Sequence, residues 1–394
     1  MGRVWRAFSV LILFAIGTSL ITPLIPIYKA ELGFNDTVVT LFLVAYVAAL
    51  VPSMLTMGQL SDRIGRRGVL LTSLAVIGAA QILLATQPPL WAILVARCLQ
   101  GFATGGFFGT CSAFLVELAP VERRSAMSVL SSVSVRGGLG LGPGLGGVFA
   151  QYLPNPLRTP FLVHLVAVVV AAVLVLSLPE TVARGPRRPL TVRLEVPAAE
   201  RSVFWRVLVP SGMILSLFDA VCLSLVPVFQ VRELGVTNYA LVGASGFLVL
   251  TTGAISQIIF RTMSPTRSIT TGLIVSCIAF VGVICGAPLA SAPLLLASVA
   301  VTGGACGLVM KGGIGLATAI APARDLGKLI SSYYVACYLG GFSVPLVVVG
   351  VLADLIGLTV ALVVMTLLTA VAALWTILVG LRSLHGLAGR PGGH

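Results

Sequence analysis

The chain has 394 residues, of which 58% are hydrophobic and only 9% are charged. Soluble domains carry roughly 25% charged residues, so this composition excludes a soluble globular protein and predicts one that crosses a membrane many times. The formal net charge of +13 is interpreted as orientation charge in cytoplasmic loops, and not as a surface for nucleic acid.

A short basic segment opens the sequence and is followed by an apolar run at 8–28. This run has the length of about 20 residues that a spanning helix needs, and no small-residue cleavage site follows it. We therefore expect it to be retained as the first helix and not removed as a signal peptide.

Twelve mainly apolar segments are long enough to span a bilayer, and together they predict an all-α integral membrane protein. The predicted helices lie at 7–28, 37–57, 69–87, 90–115, 126–150, 160–178, 204–229, 238–260, 268–287, 292–318, 327–350 and 357–381. Most connections between them are short.

One connection, 179–203, is longer and contains four prolines and five arginines. It is predicted to be a cytoplasmic linker between two six-helix halves. The predicted organisation is therefore an N-terminal bundle at 1–178, the linker at 179–203, a C-terminal bundle at 204–381 and a short cytoplasmic tail at 382–394.

The basic residues are distributed unevenly between the two sets of loops. Nineteen fall on the side of the chain start and the linker, and three fall on the opposite side. Because cytoplasmic loops carry the excess of Lys and Arg, both termini and the linker are predicted to be cytoplasmic. The remaining three, Arg97, Arg136 and Lys311, lie inside predicted helices.

The two halves resemble each other at an offset near 202 residues. The segment 24–33 recurs with one insertion at 225–235, and Ala119-Pro120 recurs as Ala321-Pro322. A duplicated helical unit is typical of transporters, whose substrate site lies near the bilayer midplane where the halves meet.

The cysteines and histidines do not predict a metal site. All seven cysteines fall within apolar runs without a CxxC spacing, so they are interpreted as small buried side chains and not as disulfides or ligands. The three histidines, His164, His385 and His394, are scattered along the chain.

Three motifs carry a resemblance to a known family. They are Gly58-x-Leu60-x-Asp62-Arg63-x-Gly65-Arg66-Arg67 between helices 2 and 3, Arg97-x-x-Gln100-Gly101 in helix 4 and Gly138-x-x-x-Gly142-Pro143-x-x-Gly146-Gly147 in helix 5. Through them the chain resembles the major facilitator superfamily over essentially its whole length. The third motif resembles that of the drug/proton antiporter branch. The resemblance implies two pseudo-symmetric six-helix halves that work by alternating access.

Asp62 lies where helix 2 ends at the predicted cytoplasmic surface. A carboxylate there can accept hydrogen bonds from nearby arginines and can cap an adjacent helix. The resemblance implies that this helix is number 11, so that the motif latches the halves in the outward-facing state. The alternative is that Asp62 only solvates a tight turn and the arginines set topology. The predicted latch comprises Gly58, Asp62, Arg63, Gly65, Arg66 and Arg67.

Asp219 is the only carboxylate predicted to lie well inside a span. A proton-coupled transporter needs a group that takes up a proton on one side and releases it on the other, and a buried carboxyl group suits this role. We predict that Asp219 is this group; the alternative is a fixed ion pair with Lys311 or Arg136. The resemblance implies that Arg97 takes part in proton coupling, or orients polar groups through Gln100. Its alternative is a structural arginine bonded to backbone carbonyls.

Gly138, Gly142 and Gly146 recur every four residues and share one face of helix 5. Glycines allow close backbone packing, and Pro143 removes one hydrogen bond within the helix. With Gly147, they predict a bent, tightly packed helix between the halves that acts as hinge and seal. Ordinary small-residue packing is the alternative.

Aromatic residues are the main candidates for the cavity wall. The resemblance implies that helices 1, 4, 7 and 10 line the cavity. In this sequence, helix 11 also offers two tyrosines one turn apart, followed by Phe342. Apolar walls with few polar anchors suit a lipophilic substrate, whereas the charges within the spans equally suit an anionic or zwitterionic one. Any single aromatic has packing or lipid contact as its alternative role. The predicted substrate-cavity residues are Phe14, Phe102, Arg136, Phe218, Lys311, Tyr334 and Tyr338.

No GxSxG, HExxH or phosphate-loop motif occurs. The glycine run at 137–142 is not a nucleotide-binding turn, because it lies inside a predicted helix and no strand precedes it. We expect a transporter and not an enzyme, with no cofactor and a proton gradient as the driving force. The predicted function is proton-coupled efflux of small lipophilic or amphipathic molecules such as drugs. The alternative is symport or facilitated diffusion of an anionic or zwitterionic metabolite. Expected partners are the substrate, protons and the bilayer, with no nucleic acid and no metal, for a monomer in a bacterial cell membrane.

Overall fold

The computed structural model describes residues 2–182, 196–197, 200–322 and 325–380, and no strand occurs in these ranges. They form twelve long helices, so the predicted all-α architecture is confirmed. The helices are α1 Gly2–Leu32, α2 Asp36–Ile64, α3 Arg66–Ala85, α4 Leu90–Leu118, α5 Arg124–Tyr152, α6 Thr159–Leu176, α7 Arg201–Arg232, α8 Tyr239–Ile259, α9 Pro265–Cys285, α10 Ala292–Ile320, α11 Leu326–Ile356 and α12 Leu358–Gly380.

Within the described residues, eleven helices are long and apolar enough to cross a membrane. The twelfth, α5, has the length of 29 residues but is rich in glycine and serine, which lower its hydropathy. Large apolar side chains such as Val166, Ile278 and Leu368 are exposed on the outside of the bundle. A surface of this kind is stable against lipid and not against water.

The polar segment between α2 and α3 is shorter than the sequence predicts. Residues Gly58–Ile64 continue α2, and Arg66 already begins α3, so that Gly65 alone makes the turn. Its φ of 97° lies in a region that L-residues with a side chain rarely adopt, which explains the glycine.

Two helices are interrupted at prolines. In α1 a 3₁₀ turn at Thr22–Leu24 surrounds Pro23, and in α11 the helix breaks at Phe342 and Ser343, just before Pro345. Proline lacks the N–H that would bond one turn back and its ring crowds the preceding turn, so the helix is locally distorted. By contrast, α5 continues as a helix through Pro143.

We call α1–α6 the N half and α7–α12 the C half. The halves meet mainly along two helix pairs, α5 with α8 and α2 with α11. We name the end of the bundle that carries the α2–α3 turn the basic end, and the other the opposite end. The division at the linker stays a prediction, because residues 183–195, 198–199 and 381–394, which hold most of the predicted linker and the whole predicted tail, lie outside the described residues.

Candidate functional site

A cavity of about 430 Å³ lies between the two halves. Eight helices contribute to its wall: α1, α2, α4 and α5 from the N half, and α7, α8, α10 and α11 from the C half. The wall is mainly apolar, with few polar groups, and its volume is typical of sites for small molecules. Its aromatic and charged members include Tyr46, Arg97, Arg136, Asp219, Tyr334 and Tyr338.

An ion pair crosses from one half to the other in this wall. Arg136 Nη2 in α5 donates to Asp219 Oδ2 in α7 at 2.7 Å, and the two side chains are 13% and 6% exposed. The second carboxylate oxygen of Asp219 has no hydrogen-bond partner in the described part of the chain. Removing one member of such a buried pair leaves an uncompensated charge, at a cost of roughly 3–5 kcal/mol. The sequence singled out both residues but left the partner of Asp219 open.

Lys311 does not contribute to the cavity wall. Its ammonium group donates to the Met263 carbonyl at 2.5 Å and to Ser268 Oγ at 3.1 Å. Both partners lie at the α8–α9 connection of the C half, so Lys311 fastens α10 there. Its predicted place among the substrate-cavity residues is wrong, because the long side chain reaches the helix connection and not the cavity.

Arg97 lies in the wall, but its donors point into the N half. The guanidinium donates to the carbonyls of Phe42 and Thr18, both at 3.0 Å, and to Gln100 Oε1 at 2.5 Å. Its central carbon lies 4.7 Å from the ring centroid of Tyr46. These contacts satisfy a buried cation without a carboxylate, as the structural alternative expects. A role in proton coupling stays a prediction.

Three predicted wall aromatics lie elsewhere. Phe14 stacks on Phe107 with ring centroids 3.6 Å apart, and Phe218 packs against Phe280 at 4.9 Å. Both are fully buried within their own half, and Phe102 is 36% exposed without lining the cavity. Helix number alone therefore assigned them wrongly, since each helix turns these side chains towards a neighbour or outwards.

Other aromatics do line the cavity. Tyr334 and Tyr338 are in the wall, together with Phe108 and Phe342, and a role of the two tyrosines in substrate binding stays a prediction. Tyr46 of α2 is there as well, and sequence reasoning missed it. Its one signal was a phenol among aliphatic residues in the middle of a span, where a hydroxyl needs a polar environment.

The residues of the predicted latch form a network inside the N half. Asp62, whose side chain is 63% exposed, pairs with Arg66 at 2.6 Å, and Arg66 pairs with Glu117 at 2.9 Å. The carboxylate of Glu180 accepts from the backbone N–H groups of Arg66 and Arg67 at 2.9 and 3.1 Å and so caps α3. Contact of Asp62 with α11 stays a prediction for the other conformation of the transport cycle.

At the opposite end, a carboxylate of the C half caps a helix of the N half. Asp354 in α11 accepts from the backbone N–H groups of Asp36 and Thr37 at 2.7 and 3.0 Å, and from the Thr37 hydroxyl at 2.5 Å. Asp36 in turn pairs with Lys29 and, at 3.2 Å, with Arg232 of α7. Charge is thus matched across the two halves. The sequence did not point to Asp354, which looks like an ordinary acid at the end of a span.

The glycines of α5 serve two different contacts. Gly138, Gly142 and Gly146 face Ala15, Ile16 and Leu20 of α1, inside the N half. Contact with the C half is made instead by Pro143 and Gly147. A Cβ at Gly147 would lie 2.9 Å from the Cα of Gly243 in α8. The helix therefore lies between the halves, but the face with three glycines packs inside the N half. The roles of this helix as hinge and seal stay predictions.

The cavity between the halves is closed at the opposite end and extends towards the basic end. Contacts of α2 with α11 and of α5 with α8 seal the opposite end, where Gln151 Oε1 also accepts from the Tyr239 N–H at 2.8 Å. The wall residues nearest the basic end, Ser112, Ser132 and Ile314, continue the cavity in that direction.

A bundle of this kind around a central cavity defines a membrane transporter. Its fold matches a bacterial homologue of the human lysosomal transporter Spinster, in an inward-facing and occupied conformation, with a TM-score of 0.78 over 99% of this chain and 98% of that one, at 13% identity. A POT family transporter in complex with 5-aminolevulinic acid matches with a TM-score of 0.78 over 96% of both chains, at 15% identity.

Residues 7–345 match the family model of the Major Facilitator Superfamily, and the chain belongs to this family. It is 33% identical over 143 residues to the multidrug resistance protein MdtG of Proteus mirabilis, covering 34% of this chain and 35% of that protein. It is 30% identical over 184 residues to the class C tetracycline resistance protein of Escherichia coli, covering 45% of each. It is 36% identical over 144 residues to the Staphyloferrin B transporter of Staphylococcus aureus, covering 35% and 34%. The chain thus spans less than half the length of these relatives.

Proposed function

We propose that this transporter exports small lipophilic or amphipathic molecules in exchange for protons, by alternating access. The observation that carries the proposal is the buried ion pair between Arg136 and Asp219 in the wall of a mainly apolar cavity between the halves. Apolar walls suit a lipophilic substrate, and the carboxylate of Asp219 in the wall suits a proton carrier. Two relatives named for multidrug and tetracycline resistance agree with this direction of transport.

The pair offers a simple link between the proton and the movement of the halves. With Asp219 ionised, its attraction to Arg136 ties α7 to α5. A proton on the carboxylate removes the negative charge and weakens this tie, so that the halves can move relative to each other. Release of the proton on the other side of the membrane restores the pair. Arg97 adds a fixed positive charge to the neighbouring wall.

The proposed orientation places the basic end in the cytoplasm, because Lys and Arg are concentrated in loops there. Both termini and the linker are then cytoplasmic, and the cavity described above faces the cytoplasm, ready to load substrate. We propose that the protein works as a monomer in a bacterial cell membrane, since one chain encloses the whole cavity.

The test is Asp219→Asn, which keeps the shape of the side chain but removes the exchangeable proton. We expect it to abolish efflux of a fluorescent lipophilic dye driven by a proton gradient in everted vesicles. Glu122→Gln, at an exposed carboxylate of the basic end, is the matched control and should transport normally. Full gradient-driven efflux by Asp219→Asn at a normal protein level would contradict the proposal.

A double variant separates loss of coupling from misfolding. Arg136→Gln with Asp219→Asn leaves no buried charge at the pair, so it avoids the uncompensated arginine of the single change. We expect it to exchange dye across liposomes without a gradient, while being unable to use one. Gradient-driven accumulation by this double variant would rule out the pair as the coupling group.

The second candidate is transport of an anionic or zwitterionic metabolite. It is favoured by the two cations of the wall, Arg97 and Arg136, and by the relative named as a Staphyloferrin B transporter. An anionic substrate would compete with Asp219 for Arg136. Accumulation of a labelled anionic metabolite in intact cells would favour this candidate, and resistance to lipophilic drugs on overexpression would favour the exporter.

A further inference from the structure

The guanidinium of Arg136 reaches across the boundary between the halves and lies against Gly253 of α8. A methyl group on Gly253 would lie 2.6 Å from Arg136 Nε and 2.9 Å from Nη2. Nη2 is the atom that donates to Asp219 at 2.7 Å. The arginine of the N half therefore passes over the bare backbone of α8 on its way to the carboxylate of α7.

The far side of α8 leaves no room for its backbone to withdraw. A methyl group on Gly253 would also lie 2.9 Å from the carbonyl oxygen of Gly303 in α10, and a methyl group on Gly307 would lie 2.8 Å from the carbonyl carbon of Gly253. Thr252 Oγ1 fastens the same two helices by donating to the Ala300 carbonyl at 2.7 Å. Because α8 is fixed against α10, a side chain at position 253 would have to displace Arg136.

We infer that Gly253 is a positioning residue for the ion pair between the halves: the absence of its side chain forms the slot through which Arg136 reaches Asp219. The inference rests on the proposed role of this pair in transport. It adds a requirement from a third helix, because α8 then sets where the guanidinium lies. As the halves move, Arg136 has to slide along this slot, which a methyl group would block.

The test compares Gly253→Ala in two backgrounds, the natural sequence and a variant that lacks the pair altogether, Arg136→Ala with Asp219→Ala. Thermal unfolding of the purified protein in detergent is the readout, so the result does not depend on transport. Gly304→Ala is the matched control, because the nearest atom to a Cβ there is 3.9 Å away. Dye efflux under a proton gradient is measured in parallel.

We expect Gly253→Ala to lower the Tm by several degrees and to abolish gradient-driven efflux in the natural sequence. In the background without the pair, the Tm should fall by less than half as much, because no guanidinium is displaced. If Gly253→Ala folds only in the background without the pair, and not in the natural sequence, that result supports the inference as well. Gly304→Ala should change neither the Tm nor the gradient-driven efflux.

An equal fall in both backgrounds would reduce Gly253 to a packing contact between α8 and α10 and overturn the inference, as would an unchanged Tm in the natural sequence. The proposed function fails separately. If Asp219→Asn keeps full proton-driven efflux while the two Tm differences remain unequal, the proposed role of Asp219 in proton coupling is contradicted, and the positioning role of Gly253 stands.

Discussion

The carboxylate of Asp354 in α11 accepts a hydrogen bond from the backbone N–H of Asp36, the first residue of α2, at 2.7 Å. A helix start carries unpaired N–H groups and partial positive charge, and a carboxylate is a favourable partner for both. Here the partner comes from the other half, so the cap exists only while the opposite end is closed.

We expect Asp354→Asn to weaken this closure by about 1 kcal/mol, the usual scale of a helix cap. The shift is measured by labelling a cysteine placed at Leu43, in the cavity wall, with an impermeant thiol reagent added on the side of the opposite end. A background without the seven natural cysteines is needed. Labelling should become faster, whereas Glu31→Gln, an exposed acid at the same end, should leave the rate unchanged. An unaltered rate for Asp354→Asn would show that the cap does not hold this end closed.

Gly147→Ala should disfavour the same closed state through packing and not through charge. Its Cβ would lie 2.9 Å from the Cα of Gly243, closer than carbon atoms normally approach, so α5 and α8 would have to separate. Overpacking of this kind costs typically 1–3 kcal/mol. Labelling at Leu43 should therefore be faster again. Gly137→Ala on the same helix, where no atom lies within 4 Å of a Cβ, is the control, and equal rates for the two variants would contradict the expectation.

Asp62→Asn tests the predicted latch at the basic end. In the conformation described here Asp62 is exposed and its pair with Arg66 is worth at most about 1 kcal/mol, so the Tm should hardly change. If Asp62 meets α11 once the basic end closes, the variant should instead spend less time in that state. Labelling of a cysteine at Ser132 from the basic end would then be faster than in the parent. A slower or unchanged rate would leave Asp62 with no role beyond its pair with Arg66 at the end of α2.

The sequence predicted the fold well because twelve mainly apolar segments of spanning length suffice for it. It also found Arg136 and Asp219, since charge inside a span is rare and needs a reason. Their pairing could not be predicted, because helix boundaries uncertain by several residues do not place two side chains at the same depth. Asp354 was missed for a related reason, since its partner is a backbone terminus in the other half.

The errors arose where a pattern specifies a face but not its neighbour. Spacing shows that Gly138, Gly142 and Gly146 lie on one side of α5, but only the packing shows that α1 covers that side. Phe14 and Phe218 were placed by helix number, although a helix presents every side chain in a different direction. Rotation of a helix about its axis is fixed by tertiary contacts, which a single sequence does not contain.

The small residues of α5 also constrain how this protein can diverge. One side of the helix is pressed against α1 and a second against α8, and both contacts reject even a methyl group at their closest points. Only the third side, with Ser132, Val135 and Leu139 beside Arg136, borders the cavity. A change of substrate preference is therefore expected to require substitutions at these few positions, because the glycines that face α1 and α8 leave no room for a side chain.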